Sequence, residues 1–327
     1  MTNVMTVTGP VPVEDLGFTL IHEHLFYGID VESGENWDQA RLRTMTDMDL
    51  IYKSLMKYKE VGGVTLVEQT TGGLWGRNGD VLVDQSVLRT KHVVAVKEIA
   101  LRTGLNIVKG TGWYRIPFYE SYLNQIRTNE LADELIRDIT VGMHGTNIKA
   151  GLLGEIGVEK STSIWPVEER MLRAVARAHK QTGVTIATHA VGGPVGLDQL
   201  DILMDEGVDP NRVIMGHAST YASHEYHAEV VRRGSYIAFD TIKGDKNPMR
   251  EHDLLIHILK AIKAGFINRI IFSHDVCHRS QLPGYGGTGY HYIPTIYLSL
   301  LREMGITDEQ FFQIMVDNPR RALSGEL

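Results

Sequence analysis

The sequence predicts an α/β fold in which eight parallel strands close into a (β/α)8 TIM barrel, preceded by a short N-terminal hairpin. Three observations predict it. Short apolar, β-branched runs recur eight times along the 327 residues. Longer helical patterns lie between them, so consecutive strands are joined by crossovers and run parallel. No GxGxxG follows the first run, which argues against an open doubly wound sheet. Eight units over this length fill one barrel domain spanning 1–327.

The elements follow in order. VMTVTGPVP reads as a hairpin or cap over the barrel bottom. The strand runs are FTLIHEHL (18–25), GVTLVEQTT (63–71), LNIVKGTGWY (105–114), IKAGLLGEIG (148–157), GVTIATHA (183–190), RVIMGHA (212–218), SYIAFDTI (235–242) and RIIFSHDV (269–276). Helical patterns between them include MDLIYKSLMKYKEVG, EERMLRAVARAHKQTG and LLIHILKAIKAG. Gly62, Gly104, Gly183, Gly234 and Gly265 end such patterns just before a strand, as helix C-termini do. The last stretch, TDEQFFQIMVDNPRRAL, reads as a helix capped by Thr307 with Gln310 in a capping box and stopped near Asn318-Pro319.

Composition narrows the function. A net charge of −7 without a basic stripe excludes nucleic acid as a partner. No apolar run is long enough to span a membrane, and the N-terminus lacks the basic and apolar regions of a signal peptide. The single cysteine, Cys277, excludes an intrachain disulfide framework, so a cytoplasmic location is expected. Cys277 itself reads as a small buried residue rather than a nucleophile.

Chemistry collects at one end of the strands. In FTLIHEHLF, His22 and His24 are two residues apart and share a face of the strand. Glu155 ends the fourth run, His189 the fifth, His217 the sixth and His274-Asp275 the eighth. Each follows an apolar run, so each needs a polar partner, and barrel active sites lie at these C-terminal strand ends. One such residue is an ordinary loop start; six on five strands form a constellation. Four histidines and two carboxylates suit two divalent ions, zinc first, with manganese, cobalt or nickel as alternatives. Two ions about 3.5–4 Å apart share a bridging hydroxide and polarise the bond it attacks. Asp275 is placed to take the proton and pass it to the leaving group. His274 points to the opposite face and is excluded as a ligand.

LIHEHL, GRN at 76–78, GTGWY, KAGLLGEIG, ATHA, GHA, FSHD, GYGGTGY and DNP together resemble the phosphotriesterase-like family of the amidohydrolase superfamily over essentially the whole chain. The resemblance implies His22, His24 and Asp275 on a more buried metal and His189 and His217 on a more exposed one. It also implies a homodimer. The chain departs from the best-known members at the fourth strand, where a carboxylated lysine bridges the metals. Gly154 stands at that position, Lys149 lies five residues too early, and Glu155 follows one residue later. The GEIG form is similar to the subgroup of phosphotriesterase homology and resiniferatoxin-binding proteins, which implies Glu155 as the bridge.

Substrate choice falls to the loops. Tyr114 is placed like a family tyrosine that faces the substrate, or it is a packing aromatic at the rim. Lys243 and Lys246 follow the seventh run and Arg279 the eighth. Lys243 and Arg279 are candidates for an anionic substrate group, with Arg279 first because guanidinium grips oxyanions in a bidentate way; the alternative is ordinary solvated loop charge. The expected function is hydrolysis of a small carboxylic ester, a lactone first, with N-acyl amide hydrolysis second and promiscuous phosphotriester hydrolysis third. A non-catalytic ligand-binding barrel is the remaining reading, and the complete ligand set argues against it.

Overall fold

In the computed structural model, which describes residues 2–26, 45–71, 85–244 and 248–325, each of the eight apolar runs contains a strand. The chain opens with an antiparallel hairpin of β1 (Asn3–Thr6) and β2 (Gly9–Pro12). The barrel strands are β3 (Phe18–Glu23), β4 (Gly63–Glu68), β5 (Asn106–Thr111), β6 (Leu152–Gly157), β7 (Ile186–His189), β8 (Val213–Gly216), β9 (Tyr236–Phe239) and β10 (Ile270–Phe272). They pair in parallel in chain order. The ring is joined where its first and last strands end. There the Asp275 N–H donates to the His22 carbonyl at 3.1 Å and the His24 N–H to the Val276 carbonyl at 3.2 Å. The fold is the (β/α)8 barrel with an N-terminal hairpin that the patterns predict.

One apolar cluster takes a buried residue from every barrel strand, among them Ile21, Val67, Val108, Leu152, Ala187 and Ile271. It continues into Val4 and Leu16 at the N-terminus and Ala322 and Leu323 at the C-terminus. The barrel is thus a packed core plugged at its bottom, and its polar residues are left to the opposite mouth.

The crossover helices each bury one stripe, such as Ile51, Leu55 and Tyr58 on the helix Met48–Glu60. The five glycines expected to end helices all take positive φ, between 66° and 109°, which glycine adopts without a Cβ penalty. Two further helices, Thr128–Thr140 and Val195–Asp205, fill crossovers that the patterns did not single out. No helix among the described residues is long and apolar enough to cross a membrane.

The C-terminus corrects one expectation. Thr307 caps its helix as read, with the Gln310 N–H donating to Thr307 Oγ1 at 3.2 Å, but Asn318-Pro319 does not stop the chain. The helix widens into a π turn over Gln313–Asp317, and Asn318–Ser324 continues as a new helix. The wider turn removes the hydrogen bond that Pro319 cannot make, and proline is tolerated in a first turn. Asn318 then donates to the Ile267 and Ile270 carbonyls, each at 2.7 Å, fixing this helix under the last strand.

At the level of the site, β5, β6 and β7 press together. A Cβ on Gly110 would lie 1.9 Å from the Gly154 carbonyl oxygen, and one on Gly154 would lie 2.6 Å from the Ala187 carbonyl oxygen. Gly110→Ala is therefore expected to cost about 2 kcal/mol or more and to lower Tm by several degrees in thermal unfolding. An unchanged Tm would show that the close approach is not required.

Candidate metal centre

The pairing of β3 with β4 shifts register between Leu20 and Glu23. A bulge of this kind re-aims side chains. Ile21 joins the interior cluster and the next residue, His22, reaches the barrel mouth. Glu23 turns to the last strand and is fully buried. Its Oε1 accepts from Ser273 Oγ, the His274 N–H and His274 Nδ1, each at 2.8 Å, and its Oε2 accepts from the Val276 N–H at 2.9 Å. The middle residue of HEH thus clamps the segment that carries Asp275. His274 links Glu23 to the Ile293 N–H, which donates to its Nε2 at 3.1 Å. That placement agrees with its exclusion as a ligand.

Glu155 lies among the remaining candidates. Its Oε1 is 3.6 Å from His24 Nε2, and His24 Nε2 is 3.2 Å from Asp275 Oδ1. Its Oε2 is 2.8 Å from His189 Nδ1, 3.4 Å from His22 Nε2 and 3.6 Å from His217 Nε2. Two groups of ligand atoms result, each with all members within 4.8 Å of one another: His22, His24 and Asp275, and Glu155, His189 and His217. The structure therefore brings all six sequence candidates to one place.

Protons alone do not satisfy this cluster. His22 Nε2 is buried and makes no hydrogen bond among the described residues. His189 Nδ1 carries at most one hydrogen yet stands 2.8 Å from both Glu155 Oε2 and His217 Nε2. A cation among these atoms would take up lone pairs that protons leave facing one another, and imidazole nitrogens with carboxylate oxygens are a donor set for divalent transition metals. The residues present fit such ions.

Charge supports the same reading. Burial pushes the Glu155 carboxyl up, and the facing His189 and His22 overcome it and hold it well below the usual carboxylate range. Burial also opposes charge on Asp275, but Lys243 and His24 hold it low. Burial lowers His217, yet the Asp240 carboxylate outweighs it and holds the imidazole at about 9. Burial and the neighbouring His217 bring His189 down to about 4. His217 and Asp275 also take positive φ, 59° and 55°, a conformation uncommon for non-glycine residues and concentrated at functional sites.

Asp240 was missed in the sequence. It is fully buried just after β9. It accepts from the His217 backbone N–H at 2.9 Å through Oδ2, and its two oxygens meet His22 Nδ1 at 2.9 Å and His217 Nδ1 at 3.1 Å. It lies close enough to be grouped with His22 and His217 as a third ligand set. Because both rings offer Asp240 their Nδ1 and keep Nε2 for the centre, it orients them instead. Behind His24, Thr70 Oγ1 lies 2.9 Å from its Nδ1. The buried Lys109 donates to the Thr70 carbonyl and pairs with Glu68 at 3.0 Å.

The substrate candidates divide. Tyr114 is at the site: its hydroxyl is 3.4 Å from His189 Nε2 and its ring meets the imidazole edge-on at 4.7 Å. Lys243 Nζ donates to Asp275 Oδ2 at 2.9 Å. Arg279 packs over Tyr285, 5.2 Å from the ring centroid. The GRN motif and Lys246 lie outside the described residues.

Asp240→Asn retains one acceptor where the two rings need two. Metal affinity, read by competition with a chromophoric chelator, is expected to fall about 10–100-fold with the fold intact. Unchanged affinity would remove Asp240 from this role.

The phosphotriesterase family model matches residues 2–323. The phosphotriesterase homology protein of Escherichia coli (strain K12) is 33% identical over 304 residues, 93% of this chain and 96% of that protein. The N-acetyltaurine hydrolase of Xenopus tropicalis is 26% identical over 360 residues, covering 98% and 97% of the two chains. Among solved structures, a resiniferatoxin-binding protein from Rhodobacter sphaeroides superposes with a TM-score of 0.87 at 28% identity, covering 99% of this chain and 95% of its own. The chain belongs to the phosphotriesterase family of metal-dependent hydrolases.

Proposed function

We propose that the chain holds two divalent ions and hydrolyses the carbonyl bond of a small amide or carboxylic ester. The observation that carries this reading is the Glu155 carboxylate, whose Oε1 faces His24 and whose Oε2 faces His22, His189 and His217. On this reading His22, His24 and Asp275 would hold one ion and His189 and His217 the other, with the Glu155 carboxylate offering an oxygen to each group. Such a pair supplies an activated water and a Lewis acid for the carbonyl oxygen. The chain's own groups do the rest. Asp275 takes a proton through its carboxylate and returns it to the leaving group, with the Lys243 ammonium 2.9 Å from Oδ2 to compensate its charge. Tyr114, beside His189, positions the substrate from the β5 side.

Of the two bonds, the amide is favoured over the lactone that the sequence put first. Relatives that cover 98% of this chain are named for hydrolysis of an N-acetyl amine. An amine also leaves poorly unless it is protonated, and Asp275 is placed to hand it the proton taken from the attacking water.

The test is metal content by plasma mass spectrometry on protein purified without added metal or chelator, coupled to a screen of N-acyl amino acids, lactones and organophosphates. About two transition metals per chain are expected. Chelation is expected to abolish turnover, and zinc, manganese or cobalt to restore it. Asp275→Asn is expected to lower turnover about 10²–10⁴-fold while the protein stays folded. Less than one metal per chain that added ions do not raise, with a bound ligand indifferent to Asp275→Asn, would favour a non-catalytic binding barrel.

A further inference from the structure

A cavity of about 500 Å³ opens beside the metal centre, with His189 and Tyr114 on one wall and Arg115, Glu159, Lys160 and Ser161 among its other lining residues. It lies on the β5–β7 side, away from the loops after β9 and β10 where the sequence suggested anion recognition. Those two cations are engaged: Lys243 with Asp275 and Arg279 with Tyr285.

Arg115 lines this cavity next to Tyr114. Its Nη1 donates to Glu159 Oε2 at 2.8 Å, and its guanidinium carbon lies 5.1 Å from the ring centroids of both Tyr114 and Phe118. Its Nε is buried and makes no hydrogen bond among the described residues. Glu159 is itself anchored, because its backbone N–H donates to Glu168 Oε1 at 2.6 Å, while Glu168 Oε2 accepts from the Trp165 N–H at 3.0 Å. The guanidinium is thus held by a carboxylate and two rings with a donor still unused. Lys160 adds a second cation to the cavity lining, beside the Glu159 and Glu168 carboxylates.

Resting on the hydrolase reading above, we propose that Arg115, with Lys160 at the rim, receives a carboxylate or sulfonate of the substrate while the scissile carbonyl lies beside His189 and Tyr114. The anion's distance from the carbonyl then selects the substrate. A neutral compound of the same length makes no charge-assisted bond to the partly exposed guanidinium and binds less well. Substrates of this class are N-acyl amino acids, N-acyl aminosulfonates, or lactones bearing an acidic group.

The test is calorimetric titration of the zinc-loaded full chain with ligands that are not hydrolysed. Butyrate has one anionic end; succinate, glutarate, adipate and 3-sulfopropionate have two. At least one two-ended ligand is expected to bind about tenfold tighter than butyrate, the size of a charge-assisted guanidinium contact. The better of the carboxylate and sulfonate arms identifies the anion. Arg115→Met is expected to abolish the preference, and Arg115→Lys to recover part of it, with thermal unfolding confirming that both variants fold. No preference in the wild type, or one that survives Arg115→Met, overturns the inference. So does a preference lost with Arg279→Met instead. Because the readout is binding, failure to cleave any ester or amide would sink the hydrolase reading and leave the Arg115 result to be judged separately.

Discussion

The short reach of the Glu155 side chain is the constraint on which the site depends. Its Oε2 lies 2.8 Å from His189 Nδ1 and its Oε1 faces His24 from the other side, so β6 has to stand close to the centre of the barrel mouth. Gly110 and Gly154 make that possible, since a Cβ on either would strike a neighbouring carbonyl oxygen. The backbone is brought to the carboxylate, and one residue then faces four histidines from three other strand ends.

Bringing so many polar groups together out of water is costly unless each has a partner. The supporting residues supply those partners in pairs. Asp240 takes the Nδ1 of both His22 and His217, and Glu23 takes the segment that presents Asp275. Thr70, backed by the Glu68–Lys109 pair, meets His24. His22 Nε2, left without a hydrogen bond among the described residues, faces the centre. The site is therefore rigid on its outer side and open to a cation on its inner side, which is the preorganisation that metal-assisted hydrolysis requires.

Much of this was legible in the sequence because strand ends mark themselves. An apolar run that stops at a histidine or carboxylate gives both the strand and the residue at its mouth, and His22, His24, Glu155, His189, His217 and Asp275 were all found this way. The same rule would have found Asp240 at the end of SYIAFD, but an aspartate opening a loop is unremarkable until β9 is seen beside β8. Glu23 was hidden because simple alternation treats it as the residue between two histidines, and the bulge that turns it to the last strand has no local signature. Pro319 was read as a stop because the π turn that accommodates it depends on packing under β10. Arg115 gave no signal at all: one arginine after GTGWY acquires meaning only from Glu159, which lies 44 residues away in sequence.

The most direct measurement is an anomalous difference map at the zinc edge from crystals of the zinc-loaded protein. The account predicts two peaks, one within bonding distance of His22, His24 and Asp275 and the other of His189 and His217, with Glu155 bonded to both. A single peak, or two peaks with Glu155 bonded to neither, would contradict it.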